Sequence, residues 1–368
     1  MTSLSLREAV GSLLVVGLES TTLSATERAW LRVVRPSGLI LFRRNIADAQ
    51  QTRALLQSAS SECAAHALRC VDLEGGTVDR LRDALAPMPS AQAVASHRNA
   101  TLAREQGRLT ARAVRLFGMN TTLAPVLDLG AAESAAILGT RAAAPDAVGV
   151  TAYARAFLSG LQSMRVTGCG KHFPGLGGGT LDSHLQMPEI ARSWEQLQAE
   201  DLEPYRALRR LLPMVMISHA AYPQTKGGTV PASQSSYWMQ EVLREALGYR
   251  GLIFSDDMEM GGVLGARPIE EAVLTAVEAG MDVMEICHRE ELILRGFESL
   301  LREAEHSSVF RRRVMRQARR VAVWRKRRYG HLTIGSENIP ASDLAIQEAA
   351  LREEIQAFGR SVTAERAE

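Results

Sequence analysis

Eight short apolar runs, each followed by a longer amphipathic one, constrain this chain more than any other feature. The apolar runs are Ser12–Gly17, Gly38–Phe42, Leu68–Asp72, Asn120–Asp128, Val166–Lys171, Met214–His219, Leu252–Asp256 and Met281–Cys287. Short continuous hydrophobic segments are what strands buried on both faces require. Helical periodicity fills Ala25–Val34, Ala47–Cys63, Leu102–Phe117, Ala147–Ser163, Trp194–Leu211, Met239–Leu247, Ile269–Ala279 and Glu290–Glu305. In the third of these, Thr101 is placed to cap a helix in which Leu102, Leu109, Val114 and Phe117 share much of one face, and Gly118 ends it. Eight β-then-α units in series predict an α/β fold, a (β/α)8 TIM-type barrel. A doubly wound open sheet is the alternative, because periodicity does not report closure. The length of 368 residues exceeds the usual single domain but suits such a barrel.

Composition narrows the class. A net charge of +2 gives no reason to expect a polyanion partner. Cys63, Cys70, Cys169 and Cys287 are scattered without a CxxC pair, so neither a zinc site nor a disulfide framework is indicated. Val10 to Leu18 is apolar, but only Arg7 precedes it and no small-residue cleavage site follows, so it reads as a strand rather than a signal peptide. No run approaches the length of a membrane span. A cytoplasmic protein without membrane or nucleic-acid partners is expected.

A barrel places its chemistry at the C-terminal ends of its strands. The polar residues there are Arg43–Asn45, Asp72 and Glu74, Asp128, Lys171–His172, His219, Asp256–Asp257 and Glu285. The densest stretch is GKHFPGLGGGTLDSH, from Gly170 to His184. A carboxylate two residues before an imidazole, as in Asp182-Ser183-His184, can hold that ring in one tautomer and raise its basicity. A surface turn with two incidental histidines fits the same letters. Asp256 and Asp257 end the seventh strand and point to opposite faces, so one enters the mouth and the other braces the loop. A carboxylate there serves as nucleophile, base or metal ligand, or Asp257 simply caps a helix. Asp72, Glu74 and a folded-back Arg80 suit sugar hydroxyls, or form an ion pair at a turn. The glycines at 175, 177, 178 and 179 match neither the phosphate-loop nor the dinucleotide pattern. Aromatic content of 5% leaves little for a long stacking cleft, so a small polar pocket is expected.

The segments LLVVGLE, GLILFRRNI, VDLEGGTVDRL, APVLDLG, ILGTR, GKHFPGLGGGTLDSH, DLEPYRAL, MVMISHAAYP, LGYRGLIFSDDMEM and EAGMDV run in one order from about residue 10 to 287. In that order they resemble the single-barrel, bacterial β-N-acetylglucosaminidases of glycoside hydrolase family 3, enzymes of peptidoglycan recycling. KHFPG…DSH together with FSDD is the most specific part. The resemblance implies a retaining hydrolase that needs no metal or organic cofactor. It implies Asp256 as nucleophile, His184 as acid/base and Asp182 as its orienting partner. It implies that Asp72, Arg80, Arg141, Lys171 and His172 hold the terminal N-acetylglucosamine. Two positions depart from the family pattern: Leu176 and Thr77 replace a histidine and an arginine, both at the border of the pocket. The alternatives are a β-glucosidase-type or phosphorolytic member of the family, or a catalytically silent sugar sensor.

Beyond residue 305 the pattern changes. Arg311 to Arg328 holds ten basic residues, with Val314, Ala318 and Val321 on one face. This reads as a helix packed on the barrel with a solvated basic face, since the aromatic interleaving of a nucleic-acid site is missing. A Gly- and Pro-containing link leads to a second amphipathic run with Leu344, Leu351, Ile355 and Phe358 aligned. Residues 1–330 are therefore expected to form the catalytic barrel and 331–368 a helical tail docked on it. The expected partner is a small carbohydrate, bound by a monomer.

Overall fold

The computed structural model describes residues 4–179, 187–331 and 339–364. Eight strands close a parallel barrel: β1 (Leu14–Gly17), β2 (Gly38–Leu41), β3 (Leu68–Val71), β4 (Thr121–Thr122), β5 (Thr167–Phe173), β6 (Met214–Ile217), β7 (Leu252–Asp257) and β8 (Val283–Ile286). Each pairs with its neighbours in sequence, and β8 returns to β1 with Val15 opposite Glu285. Closure excludes the open sheet. The alternation of side chains along each strand builds two apolar layers. Val15, Ile40, Cys70, Cys169, Met216, Phe254 and Val283 fill the lumen, while Val16, Leu39, Val71, Val215, Ile253 and Met284 meet the surrounding helices.

Three helices, Ala25–Val34, Ala147–Ser163 and Ile269–Ala279, coincide with the periodic runs. Departures elsewhere have local causes. The helix expected from Leu102 begins at Ala100, and its cap is Asn99, whose side chain accepts from the Thr101 N–H at 2.9 Å. The single helix expected over Trp194–Leu211 is two, Trp194–Ala199 and Glu203–Leu208. Pro204 sits in the first turn of the second and has no N–H for the carbonyl four residues back. Tyr237–Ala246 is wound wider than an α-helix, and its end is closed by a bond from Leu247 N–H to Val242 O. β4 is only two residues long, because Pro125 has no N–H for the ladder. Beyond it, Val126 bridges Lys171 alone. The start of the apolar run at Val10 is helical, within Leu6–Gly11.

The basic helix, Ser308–Tyr329, crosses the N-terminal end of the barrel. Val321 and Tyr329 join the lumen cluster, and the Tyr329 hydroxyl lies 2.8 Å from Thr121 Oγ1 and 2.7 Å from Thr167 Oγ1. Part of its basic face is not merely solvated. Arg320 donates to the carbonyls of Arg250 and Gly251, and Arg325 donates to Ser37 O at 3.1 Å. The helix Ala341–Ala364 docks on Ala49–Ser60 and Ala100–Leu116 through buried Leu344, Leu351, Ile355 and Phe358. Arg108 and Arg112 meet Glu354 along its edge. No described helix is long and apolar enough to cross a membrane.

Candidate active site

At the C-terminal end of the barrel, the turn after β3 sets the first acids. Gly75 and Gly76 take φ of +89° and +64°, conformations that L side chains rarely adopt. They let the chain reverse into a small antiparallel hairpin, Leu73–Gly75 with Val78–Asp79. The hairpin turns Asp72 and Glu74 toward β5. Lys171 Nζ donates to Asp72 Oδ1 at 2.8 Å and lies 2.6 Å from Glu74 Oε1. Arg141, at the end of the turn Gly139–Arg141, grips Glu74 with two bonds of 2.8 and 2.9 Å. Arg80 folds back as expected, 3.7 Å from Asp72 Oδ2 and over the Phe42 ring. Burial alone would raise the Glu74 pKa, but Arg141 and Lys171 overcome it and hold the carboxyl well below its ordinary range. Burial likewise opposes the charge on Lys171, and Asp72 and Glu74 outweigh it, so its pKa is raised.

β5 runs two residues further than its apolar pattern and carries His172 and Phe173. His172 Nδ1 donates to Asp128 Oδ2 at 2.6 Å, and its backbone N–H reaches the same oxygen at 3.1 Å. Its Nε2 lies 3.4 Å from Arg141 Nη2. Asp128 has a second use, since its Oδ1 accepts from the Leu176 N–H at 2.8 Å. One carboxylate thus ties the pocket histidine to the glycine-rich segment. Leu176 itself is buried in the apolar core, and Thr77 is exposed at the hairpin tip.

β7 ends at the two aspartates. The Asp256 Oδ1 accepts from the Asp257 N–H at 2.9 Å. Burial pushes this carboxyl up, but His172, His219 and Lys171 outweigh it, and the net shift is downward. Asp257 turns away: its Oδ1 accepts from the Glu259 N–H at 3.0 Å and its carbonyl accepts from His219 Nε2 at 3.0 Å. His219 is fixed on its other side at 2.7 Å from Ser233 Oγ. Burial raises Asp257 to about 7. The structure therefore brings Asp72, Arg80, Arg141, Lys171 and His172 into one cluster, electrostatically joined to Asp256. Asp182 and His184 lie outside the described residues.

Asp128, His219 and Glu285 were legible only as polar residues at strand ends, and nothing in their neighbours marked their partners. Glu285 points into the lumen with Val283 and Cys287, and its Oε1 has no hydrogen-bond partner among the described residues. Burial, then Asp72 and Asp256, raise its pKa well above the ordinary value. Such an acid is protonated in the fold and ionised in the unfolded chain. Stability is therefore lost as pH rises from about 4.3, the ordinary Glu value, toward the folded pKa. Glu285→Gln is expected to remove that loss. Thermal melts should show a gain in Tm over the parent that widens as pH rises above about 4.3, because there the unfolded-state Glu is ionised while the folded carboxyl still holds its proton. A constant or shrinking gap would contradict a protonated Glu285.

A parallel barrel whose mouth gathers carboxylates, a lysine, arginines and a histidine is the framework of a sugar-processing hydrolase. The chain belongs to glycoside hydrolase family 3: residues 5–323 match the Glycosyl hydrolase family 3 N terminal domain. It is 39% identical over 282 residues to a "Beta-hexosaminidase" of Methylococcus capsulatus, covering 76% of this chain and 83% of that protein. Among solved structures it resembles a glycoside hydrolase family 3 beta-N-acetylglucosaminidase from a Paenibacillus species. That match has a TM-score of 0.85 and 29% identity, and covers 96% of this chain and 69% of that one. It also resembles NagZ from Neisseria gonorrhoeae in complex with N-trifluoroacetyl-D-glucosamine, at a TM-score of 0.71 and 28% identity over 84% of this chain and 98% of that one.

Proposed function

We propose that the protein is an exo-acting, retaining β-N-acetylglucosaminidase that releases terminal N-acetylglucosamine from peptidoglycan fragments. One observation carries this reading. Asp256 ends a barrel strand at the mouth, partly accessible, with its pKa held down by its cationic neighbours. An ionised carboxylate so placed is ready to attack an anomeric carbon. The names of the relatives supply the N-acetylhexosamine.

In this mechanism an Asp256 oxygen bonds to the anomeric carbon as the glycosidic bond breaks. His184, oriented by Asp182, donates its proton to the departing oxygen. His184 then takes a proton from water, whose oxygen displaces Asp256 and restores both groups. Asp72, Arg80, Arg141, Lys171 and His172 hold the sugar. The ties of Lys171 and Arg141 to Glu74 and of His172 to Asp128 restrain those three side chains before substrate arrives, which reduces the ordering cost of binding. The substrate is a small carbohydrate and the protein acts as a monomer. Its exposed large apolar side chains, among the described residues, are scattered singly (Val33, Val148, Val230, Val309 and Ile346), which supports this. The four cysteines are free and buried, which is consistent with a reducing cytoplasm.

The test is hydrolysis of aryl N-acetyl-β-glucosaminides and of an anhydro-muropeptide, with and without phosphate. Release of N-acetylglucosamine with retained anomeric configuration is expected. His184→Ala should lower kcat/KM by roughly 10²–10⁴-fold for a poor leaving group, and by far less for an activated aryl group that needs no proton. Equal losses on both would remove His184 from the acid/base role.

A further inference from the structure

The break between helices Trp194–Ala199 and Glu203–Leu208 sets Asp201 beneath the glycine-rich segment. Its side chain is buried, and its Oδ2 accepts from Arg192 Nη1 at 3.1 Å. Arg192 also meets Glu200. The other oxygen, Oδ1, has no hydrogen-bond partner among the described residues.

The glycines press directly on this pair. A Cβ at Gly175 would stand 2.8 Å from Asp201 Oδ1, and one at Gly177 would stand 3.1 Å from it. A Cβ at Gly178 would lie 2.9 Å from Arg192 Cγ. Three of the four glycines in this segment thus lie on one buried ion pair, with no room for a side chain between. The upper side is pinned as well: the Tyr222 hydroxyl donates to Gly175 O at 2.8 Å, and the Leu176 N–H donates to Asp128. A buried carboxylate with one oxygen unsatisfied among the described residues is a poor choice for packing alone, since a fully bonded or apolar group would be more stable.

We propose that Asp201 is a positioning residue for the reaction. With Arg192 it forms the seat for Gly175–Gly179, the stretch that precedes Asp182 and His184 in sequence. This rests on the reading of His184 as the acid/base. The seat acts on proton delivery and not on the sugar pocket, because Lys171, Arg141, Glu74 and Asp72 are held by bonds that do not involve Asp201. Asp128 is the one shared point, through His172 and Leu176.

The test uses two variants of the full chain. Asp201→Asn keeps the shape and removes the charge facing Arg192. Gly177→Ala keeps the pair and crowds the segment, its added Cβ standing 3.1 Å from both Asp201 Oδ1 and the Leu129 carbonyl oxygen. Each is assayed on an activated and on a poor-leaving-group aryl N-acetyl-β-glucosaminide, with the inhibition constant of free N-acetylglucosamine as the measure of the sugar pocket. For both variants kcat/KM on the poor leaving group is expected to fall roughly 10²-fold, the cost of a misplacement near 1 Å. The activated substrate should lose less than about threefold, and the inhibition constant should stay within about twofold, because neither depends on the proton donor. Equal losses on the two substrates, a change confined to the inhibition constant, or no change in either variant would overturn the proposal. If Asp201→Asn does not fold, Gly177→Ala decides alone. A parent protein that hydrolyses neither glucosaminide refutes the enzymatic reading itself, whereas an active parent with unselective variants refutes only the seat.

Discussion

Asp256→Asn is expected to lower kcat/KM by about four orders of magnitude or more, the scale seen when a hydrolase loses a single member of its nucleophilic machinery. The fold should persist. Asp256 gives one oxygen to the Asp257 N–H, and an Asn side-chain oxygen can accept that bond equally well. Binding of free N-acetylglucosamine should change only modestly, since Lys171, Arg141 and His172 keep their partners. A 2-fluoro sugar donor with a good leaving group should accumulate on the parent protein as an ester of Asp256, located by peptide mass spectrometry. An ester on Asp257 would overturn the assignment. The structure makes that outcome unexpected, because Asp257 is occupied with Glu259 and His219 and its pKa is raised to about 7 by burial.

Glu74→Ala should have the next largest effect, and on two observables together. Glu74 is the shared counter-charge of two cations, Lys171 and Arg141, and all three are largely buried. Removing one partner of a buried ion pair costs about 3–5 kcal/mol, because the remaining charge is left without compensation. Thermal unfolding at neutral pH should therefore drop by more than about 6 °C, at roughly 2 °C per kcal/mol for a chain of this size. The two cations should also lose their fixed positions, and kcat/KM should fall by about 10²-fold or more. Glu74→Gln, which keeps the shape and some hydrogen bonding, should be less harmful on both counts. A Glu74→Ala protein with unchanged melting and unchanged sugar affinity would show that Asp72 alone holds Lys171 and that Arg141 finds another partner.

The barrel was readable because a parallel strand covered on both faces must be apolar throughout, and eight such runs leave few ways to arrange the chain. The outer helices were readable for a related reason: each has one dry face and one wet face, and the periodicity records it. Local errors arose where one residue overrode a periodic signal. Pro125 cut β4 short, and Pro204 split a helix that its apolar spacing made continuous. The site divides in the same way. Lys171, His172 and Asp256 could be picked out because chemistry sits at strand ends, and Asp72 with Arg80 because the GG turn makes them meet. Asp128 stood out only as a polar strand end, without its partners, and Asp201 did not stand out at all. Each matters through a contact made 44 residues away or more than 20, as Asp128 does with His172 and Asp201 with Gly175 and Gly177.

Residue order alone decided the number of strands, their burial and the end of the barrel at which polar groups would gather, since these follow from hydrophobic pattern and chain direction. Tertiary structure alone decided closure, the seal of Tyr329 across the N-terminal end, the bidentate grip of Arg141 on Glu74, and the pKa values that separate Asp256 from its neighbour Asp257. Adjacent in sequence and alike in chemistry, those two aspartates differ only in what surrounds them. One faces His172, His219 and Lys171, and the other is dominated by burial beside Glu259. Charge and solvation act through space, so two like side chains separated by one peptide bond acquire opposite shifts only when the fold has placed their neighbours.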